Sequence, residues 1–184
     1  MPFSKNFQLE VAWLDHKNWK LLSPLVAKGK RDRIVVEEGF VTDFATVPWW
    51  IRWLLPPIGK WTRAAVVHDK LCTLLRERYE ARLALIRSDP NLTWANTDEL
   101  VPRCKFGPVD TDGLVFEHLL RDEGVDPIRR KLLWTGVRWG ALANPARREG
   151  WSSTLPEVAM WSALSLAFVV TGLKLVAQLG GLLS

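Results

Sequence analysis

The adjacent residues His68 and Asp69 form the pair whose side-chain types suggest chemistry. An imidazole changes charge nearer neutral pH than other side chains, so a histidine can accept a proton from water as a general base. A carboxylate beside it can bind a hard cation such as Ca²⁺. Two further acidic residues, Asp43 and Asp112, are candidates to complete such a site.

The spacing of apolar residues predicts how this pair is oriented. His68 lies on the helical stripe of Ala64, Leu71 and Leu75, at intervals of three and four residues. Residues at these intervals share one face of a helix. We therefore expect the ring of His68 to point into the core and Asp69 to lie at the edge of that face.

A His followed by an Asp on a helix is similar to the pair in secreted phospholipase A2, in which the His activates water and the Asp holds Ca²⁺. That chemistry needs a second carboxylate to orient the His and a loop to complete the metal site. One hypothesis is therefore a metal-dependent hydrolase with His68, Asp69 and Asp112 as catalytic residues. Asp43 and Asp69 would then bind Ca²⁺ or another divalent cation.

A structural role for the same residues is the favoured alternative. Asp43 can accept hydrogen bonds from the N–H groups of its own turn, and His68 can bond a carboxylate and so tie the helix to that turn. A buried histidine is more often a hydrogen-bonded core residue than a catalyst, although a second acid nearby favours a site.

Other catalytic arrangements have less support. A metal phosphohydrolase would need His16, which lies in a predicted polar turn, and His118 falls on the opposite side of its predicted helix from Asp112. We expect His118 on the surface. The sequence contains no G-x-S-x-G, P-loop or G-x-G-x-x-G pattern. Cys72 and Cys104 lie in no C-x-x-C pair and are expected as free thiols.

The composition is that of a folded, basic domain. Of 184 residues, 48% are hydrophobic and 24% charged, and the formal net charge is +5. Residues 151–184 contain one Glu and one Lys, so the whole excess lies in residues 1–150. No run of Lys and Arg alternates with aromatic residues, so nucleic acid is not the expected partner. The 11 Trp residues suit cores, interfaces and membrane boundaries.

The order of predicted elements indicates an α+β fold: a small N-terminal antiparallel sheet packed on three or four helices, plus an apolar C-terminal helix. Residues 7–47 have strand-like alternation, with a hairpin or a tight strand bend at Glu38-Gly39. After these strands, helices are predicted in three ranges: from Thr62, as N-cap, to about Arg78; from Thr111 to about Arg121; and from Asp126-Pro127 to about Ala143.

The chain is predicted to consist of two regions. Residues 1–150 form the compact basic domain, in which 76–109 is predicted to be an insertion because it is charged and then rich in turn residues. Residues 151–184 are apolar. Their uncharged part, Val158–Leu173, is 16 residues long, whereas crossing a bilayer takes about 20.

The few polar residues of the 151–184 segment are compatible with two interpretations, membrane insertion and packing on another chain. Lys174 can extend its charge to the membrane boundary, which favours insertion. Thr171, Lys174 and Gln178 share one helical face, which favours packing on a partner chain or a second copy. The sequence does not distinguish these interpretations.

The segments Gly39–Pro48 (GFVTDFATVP), Pro56-Pro57-x-Gly59 and Thr62–Leu71 (TRAAVVHDKL) resemble the phage and prophage family called domain of unknown function 1353. In that family a G-F-x-T-D-F-A-S-V-P turn precedes A-A-V-x-H-D-x-L-Y. A second block, Thr111–Val125, looks like its A-D…F…G-V helix. Departures are the 76–109 segment, Cys72 in place of an aromatic residue, and the apolar tail.

The resemblance implies a phage setting but no settled reaction. We therefore expect a non-catalytic virion, tail or host-envelope component, in contact with other phage proteins, with itself through 151–184, or with the host membrane. The alternative is the membrane-associated hydrolase described above. The first residues contain no apolar stretch, so we expect no secretory signal peptide. Given the implied phage setting, we expect the protein in the virion or in the host cell membrane.

Overall fold

The computed structural model describes residues 8–28, 33–44, 52–56, 58–101, 114–142, 144–148 and 155–182. Within them the chain has the predicted α+β architecture, with short antiparallel strands at the N-terminal end and helices after them. The strands are β1 (Val11–Trp13), β2 (Trp19–Leu21), β3 (Leu25–Lys28), β4 (Arg33–Val36) and β5 (Val41–Thr42).

Strands β2 to β5 form one bent antiparallel ribbon. Strand β3 pairs with β4, placing Leu25 opposite Val36, and β2 pairs with β5, placing Lys20 opposite Val41. Both pairings share one register, because four residues lie between the paired positions on each side, 21–24 on one strand and 37–40 on the other. Strand β1 adds to the outer edge of β2. Residues 33–42 are therefore a bent strand, and β4 and β5 do not pair with each other.

The bend lies where the sequence disfavours a straight ladder. Pro24 has no N–H to donate, and Gly39 has a φ of 83°, a conformation that glycine adopts without steric cost. The backbone N–H of Gly39 donates to the carbonyl of Leu21 at 2.9 Å, and the N–H of Leu21 donates to the carbonyl of Phe40 at 2.9 Å. Pairing thus continues up to the bend.

In the described ranges five α-helices follow: α1 (Thr62–Ser88), α2 (Trp94–Leu100), α3 (Phe116–Asp122), α4 (Pro127–Leu142) and α5 (Leu155–Leu182), with a 3₁₀ helix at Pro145–Arg148 between α4 and α5. The predicted start of α4 is confirmed, because the Asp126 carboxylate accepts the Arg129 N–H at 3.0 Å. Gly124, with a φ of 71°, follows α3 as predicted.

Two expectations for α1 were wrong. The N-cap is Trp61 rather than Thr62, whose hydroxyl instead donates to the carbonyl of Gly59 at 2.8 Å. The helix also continues to Ser88 instead of ending near Arg78. Its apolar face packs against the sheet and α3, in a core that includes Leu25, Val36, Val66, Val67 and Leu120.

The extra length of α1 is held by buried arginine contacts with α2. Arg82 is 2% exposed; its Nε donates to the Thr97 hydroxyl at 3.1 Å, and a second nitrogen donates to the Trp94 carbonyl. Its guanidinium lies 3.8 Å from the centre of the Trp94 ring. Arg78 pairs with Asp98 at 2.5 Å. The described part of the 76–109 segment is therefore packed through polar side chains; 102–109 lies outside the described residues.

Replacing Arg82 by Met should lower the free energy of unfolding by about 2–3 kcal/mol, because buried partners on α2 lose a charged donor. Urea denaturation would measure the loss. Arg76→Met is the matched control, since Arg76 is exposed on the same helix, and its effect should stay within about 0.5 kcal/mol. Equal stabilities for the two variants would contradict the assignment.

Candidate functional site at His68

Helix α1 places His68 in the interior, as its spacing predicted. The residue is 6% exposed, and its ring lies 4.7 Å from the Phe116 ring, measured between centroids. The side chain of Asp69, at the edge of the same face, keeps 23% of its exposure. The pair therefore lies beneath the surface, with one carboxylate reaching towards solvent.

Asp69 links α1 to the bent ribbon. The Thr42 hydroxyl donates to Asp69 Oδ2 at 2.5 Å and accepts the backbone N–H of Phe44 at 3.0 Å. Phe44 has a φ of 55°, which is uncommon for a bulky residue and requires support from its surroundings. The hydroxyl of Thr42 thus connects the helix carboxylate to the turn after β5.

His68 lies between a carboxylate and a guanidinium. Its Nδ1 is 3.7 Å from Asp69 Oδ1, longer than a direct hydrogen bond. Its Nε2 is 3.4 Å from Nη2 of Arg147, which also donates to the Val137 carbonyl at 3.2 Å. A guanidinium can only donate, so Nε2 is the acceptor in this contact. The ring proton of neutral His68 then resides on Nδ1, facing Asp69.

Gly140 makes room for this arginine. A Cβ at position 140 would lie 3.2 Å from Nη1 of Arg147, closer than side chains usually approach. Arg147 itself comes from the 3₁₀ helix after α4. The His68 contact therefore joins α1 to the segment that leads towards α5.

The thiol of Cys72 lies one helical turn from His68. Its Sγ is 3.5 Å from Nε2 and 3.9 Å from Nδ1 of the ring. A sulfur in line with the lone pair of one ring nitrogen would be much farther from the other, so the similar distances place it over the ring face. This is a packing contact, not the in-line geometry by which a histidine deprotonates a thiol.

Burial raises the pKa of Asp69 above the ordinary value of 3.8. The nearby negative charge of Asp43 acts in the same direction, whereas His68 and the Thr42 hydroxyl oppose the rise. A carboxyl shifted in this way holds its proton more readily, which suits a hydrogen-bonded structural role and also a general acid.

The other residues singled out from the sequence are distributed differently. Asp43 is exposed and adjoins Thr42; His118 is exposed, as expected; and His16 is exposed in the turn between β1 and β2. Asp112 and Cys104 lie outside the described residues. Among the side chains that the structure describes, no three His, Cys, Asp or Glu residues are grouped to hold a metal ion. Sequence reasoning missed Thr42 and Arg147, which no local pattern connects to His68.

In chemical terms, the described arrangement is a chain of polar contacts from the turn through Asp69 and His68 to Arg147. A histidine acting as base needs a free lone pair directed at the substrate proton. Here the lone pair of Nε2 points towards Arg147. The geometry of these residues therefore fits a connecting role better than base catalysis.

The fold and these contacts define a small α+β domain with a polar link through its core. A family model described as "Protein of unknown function (DUF1353)" matches residues 19–137. The match spans well over half of the chain, and the protein belongs to this family. No curated protein and no solved structure matches it.

Replacing His68 by Ala should lower the free energy of unfolding by about 1–3 kcal/mol, because the change removes buried volume and leaves Arg147 without this acceptor. Thermal or urea denaturation measures the change. His118→Ala is the matched control at an exposed histidine and should be close to neutral. An unchanged free energy of unfolding for His68→Ala would show that the ring does not stabilise the fold.

Asp69→Asn should become more stable relative to the wild type as the pH rises from 3.8 towards neutrality. A raised pKa means that the stability from this group is complete below its unfolded-state pKa and is lost as the pH rises through the folded-state value. Asparagine does not ionise and so avoids that loss.

Urea denaturation across this pH range would measure the difference in unfolding free energy. Asp15→Asn provides a control of opposite sign, since backbone and side-chain hydrogen bonds lower the pKa of Asp15. Its stability relative to the wild type should decrease as the pH rises towards 3.8, the unfolded-state value, and change little above it, so the control is measured from more acidic pH upward. A flat or falling difference for Asp69→Asn would contradict the raised pKa.

Proposed function

We propose that this protein is a non-catalytic phage or prophage component that works at the host envelope and attaches to the membrane through helix α5. The phage setting is carried over from the resemblance of the Gly39–Pro48 and Thr62–Leu71 segments. The membrane attachment is supported by one observation, the exposed apolar surface of α5.

Helix α5 contains a span, Pro156–Leu175, that is long and apolar enough to cross a membrane. Its 20 residues have a mean hydropathy of 1.7. Only 11% of the most apolar 18-residue stretch within it is buried. A core helix of comparable hydropathy would be mostly covered by its own protein. An exposed apolar surface of this extent needs lipid or another chain against it.

The distribution of charge supports lipid as that partner. The excess of +5 lies in residues 1–150, and Arg147 and Arg148 lie a short distance before α5. The cytoplasmic leaflet of a bacterial membrane carries anionic lipids, which attract basic groups close to an inserted segment. We therefore place the domain on the cytoplasmic side.

The His68 contacts support the non-catalytic part of the proposal. Asp69 is bonded to Thr42, and His68 contacts Arg147, so these side chains connect the ribbon, α1 and the 3₁₀ helix. In this proposal the link stabilises the domain that α5 attaches to the membrane.

The full chain should float with vesicles made of equal parts phosphatidylcholine and phosphatidylglycerol. Replacing Leu164 and Leu166 by Asn should weaken vesicle binding by at least about tenfold, because each leucine that enters the apolar layer contributes on the order of 1.5–3 kcal/mol. Both side chains are more than half exposed, so the fold should be unaffected.

A double variant at Leu22 and Leu100 is the matched control, since these leucines have similar exposure, 51% and 57%, but lie outside α5. Their replacement by Asn should leave vesicle flotation unchanged. Absence of flotation by the unmodified chain, or an equal loss in the two double variants, would overturn the proposal.

A further inference from the structure

We infer that α5 binds an anionic bilayer while lying in the plane of its surface, still docked on α4, rather than by crossing it. The inference rests on the proposed membrane attachment and specifies its geometry. In this arrangement both ends of α5 stay on the same side as the domain.

Side-chain hydrogen bonds hold α5 to α4. The indole N–H of Trp139 donates to the Ser162 hydroxyl at 2.7 Å, and that hydroxyl donates to the Val158 carbonyl at 2.6 Å. One turn farther along, the hydroxyls of Thr135 and Ser165 are 3.4 Å apart. If α5 left α4, the Trp139 N–H would lose its acceptor and the Thr135–Ser165 contact would break, whereas Ser162 would keep its bond to the Val158 carbonyl within α5. The loss of these contacts opposes separation of the two helices.

Apolar and cationic contacts extend the docked face along the helix. Val158 and Val169 are 2% and 3% exposed, and Val169 belongs to the main core. The Lys131 ammonium lies 4.8 Å from the centre of the Trp161 ring. Near the far end, the Trp53 ring would be 3.1 Å from a Cβ at Gly172. The contacts from 158 to 172 cover a rise of about 21 Å, at 1.5 Å per residue.

The neighbouring helix cannot follow α5 through a bilayer. Lys131 of α4 is ion-paired with Glu117 of α3 at 3.0 Å, and α4 carries Arg129 and Arg130 in its first turns. Charged groups at the centre of a bilayer are costly. A docked α5 is therefore limited to the depth at which α4 remains in the aqueous boundary.

The uncovered side of α5 fits this shallow position. Its large apolar side chains are between 42% and 61% exposed: Met160, Leu164, Leu166, Phe168, Leu173 and Leu175. A helix lying in the boundary usually needs a polar face towards water. Here α4 covers one side, so the rest of α5 can be largely apolar and still lie flat, with Lys174 extending its charge to the headgroups and the apolar side chains in the upper acyl region.

Tryptophan and basic residues lie beside the docked helix. Trp139, bonded to Ser162, is 56% exposed and Trp53, beside Gly172, is 51% exposed. The loop of Trp53 also exposes Arg52, Ile58 and Lys60. Indole rings prefer the headgroup level of a membrane, and cations there attract anionic lipids. This charge and the flanking indoles identify the occupant of the apolar face as an anionic bilayer.

A reversible disulfide between α4 and α5 tests the geometry. Thr135→Cys and Ser165→Cys would be combined in the full chain carrying Cys72→Ser and Cys104→Ser, because the two hydroxyls already lie 3.4 Å apart. Disulfide formation is followed by thiol titration, and circular dichroism checks the fold. Flotation with the phosphatidylcholine and phosphatidylglycerol vesicles is then compared for the oxidised protein and the same protein after reduction.

In-plane binding predicts that the oxidised and reduced proteins float equally, within about twofold, because docking on α4 is kept at the membrane. Flotation of the reduced protein with at least tenfold weaker flotation of the oxidised one would overturn the inference and leave the proposed attachment intact. Failure of the cysteines to pair would also overturn it, since α5 would not be docked. If neither form floats, the proposed attachment itself fails.

Discussion

The packing of α1 is the constraint on which the rest of the structure depends. This helix contacts the bent ribbon, α2, α3 and the 3₁₀ helix, and each contact is made by a different kind of side chain. Aliphatic residues face the sheet, Asp69 reaches Thr42, His68 meets Arg147, and the buried arginines hold α2. Apolar burial supplies the non-directional attraction, while the polar contacts fix the orientation of each neighbour.

Local signals in the sequence were sufficient to predict where α4 begins and where α3 ends. Asp126-Pro127 and Gly124 act within one turn of the chain, and the stripe containing His68 needs only helical spacing, so these predictions were confirmed. The end of α1 could not be predicted in the same way. From Arg78 onward the buried residues of α1 are two arginines, Arg78 and Arg82. In the sequence they resemble a solvent-exposed face, because their partners Asp98 and Thr97 lie on α2. The partners Thr42 and Arg147 were missed because each is distant from His68 in sequence.

The burial of arginine also changes how the charge of this chain should be interpreted. Arg78, Arg82 and Arg138 are 6%, 2% and 0% exposed, so they add to the formal charge of +5 without offering charge to a partner. Basic groups that do reach solvent are spread over the domain, among them Lys20, Arg76 and Arg121, and they also include Arg52, next to Trp53, and Lys174 on α5. The electrostatic surface relevant to binding is therefore defined by position and exposure rather than by net charge.

The shared register of the two halves of the ribbon has a consequence for how the chain folds. Lys28 pairs with Arg33, so the two strands can meet first at their closest points along the chain, where closing a loop costs little entropy. Pairing can then proceed outward past Pro24 and Gly39 without a second loop closure, because no residue is gained or lost at the bend. Hairpins of this kind form in about 1–10 μs. The ribbon is therefore available as a template before α1, whose partners come from distant parts of the chain, completes its packing.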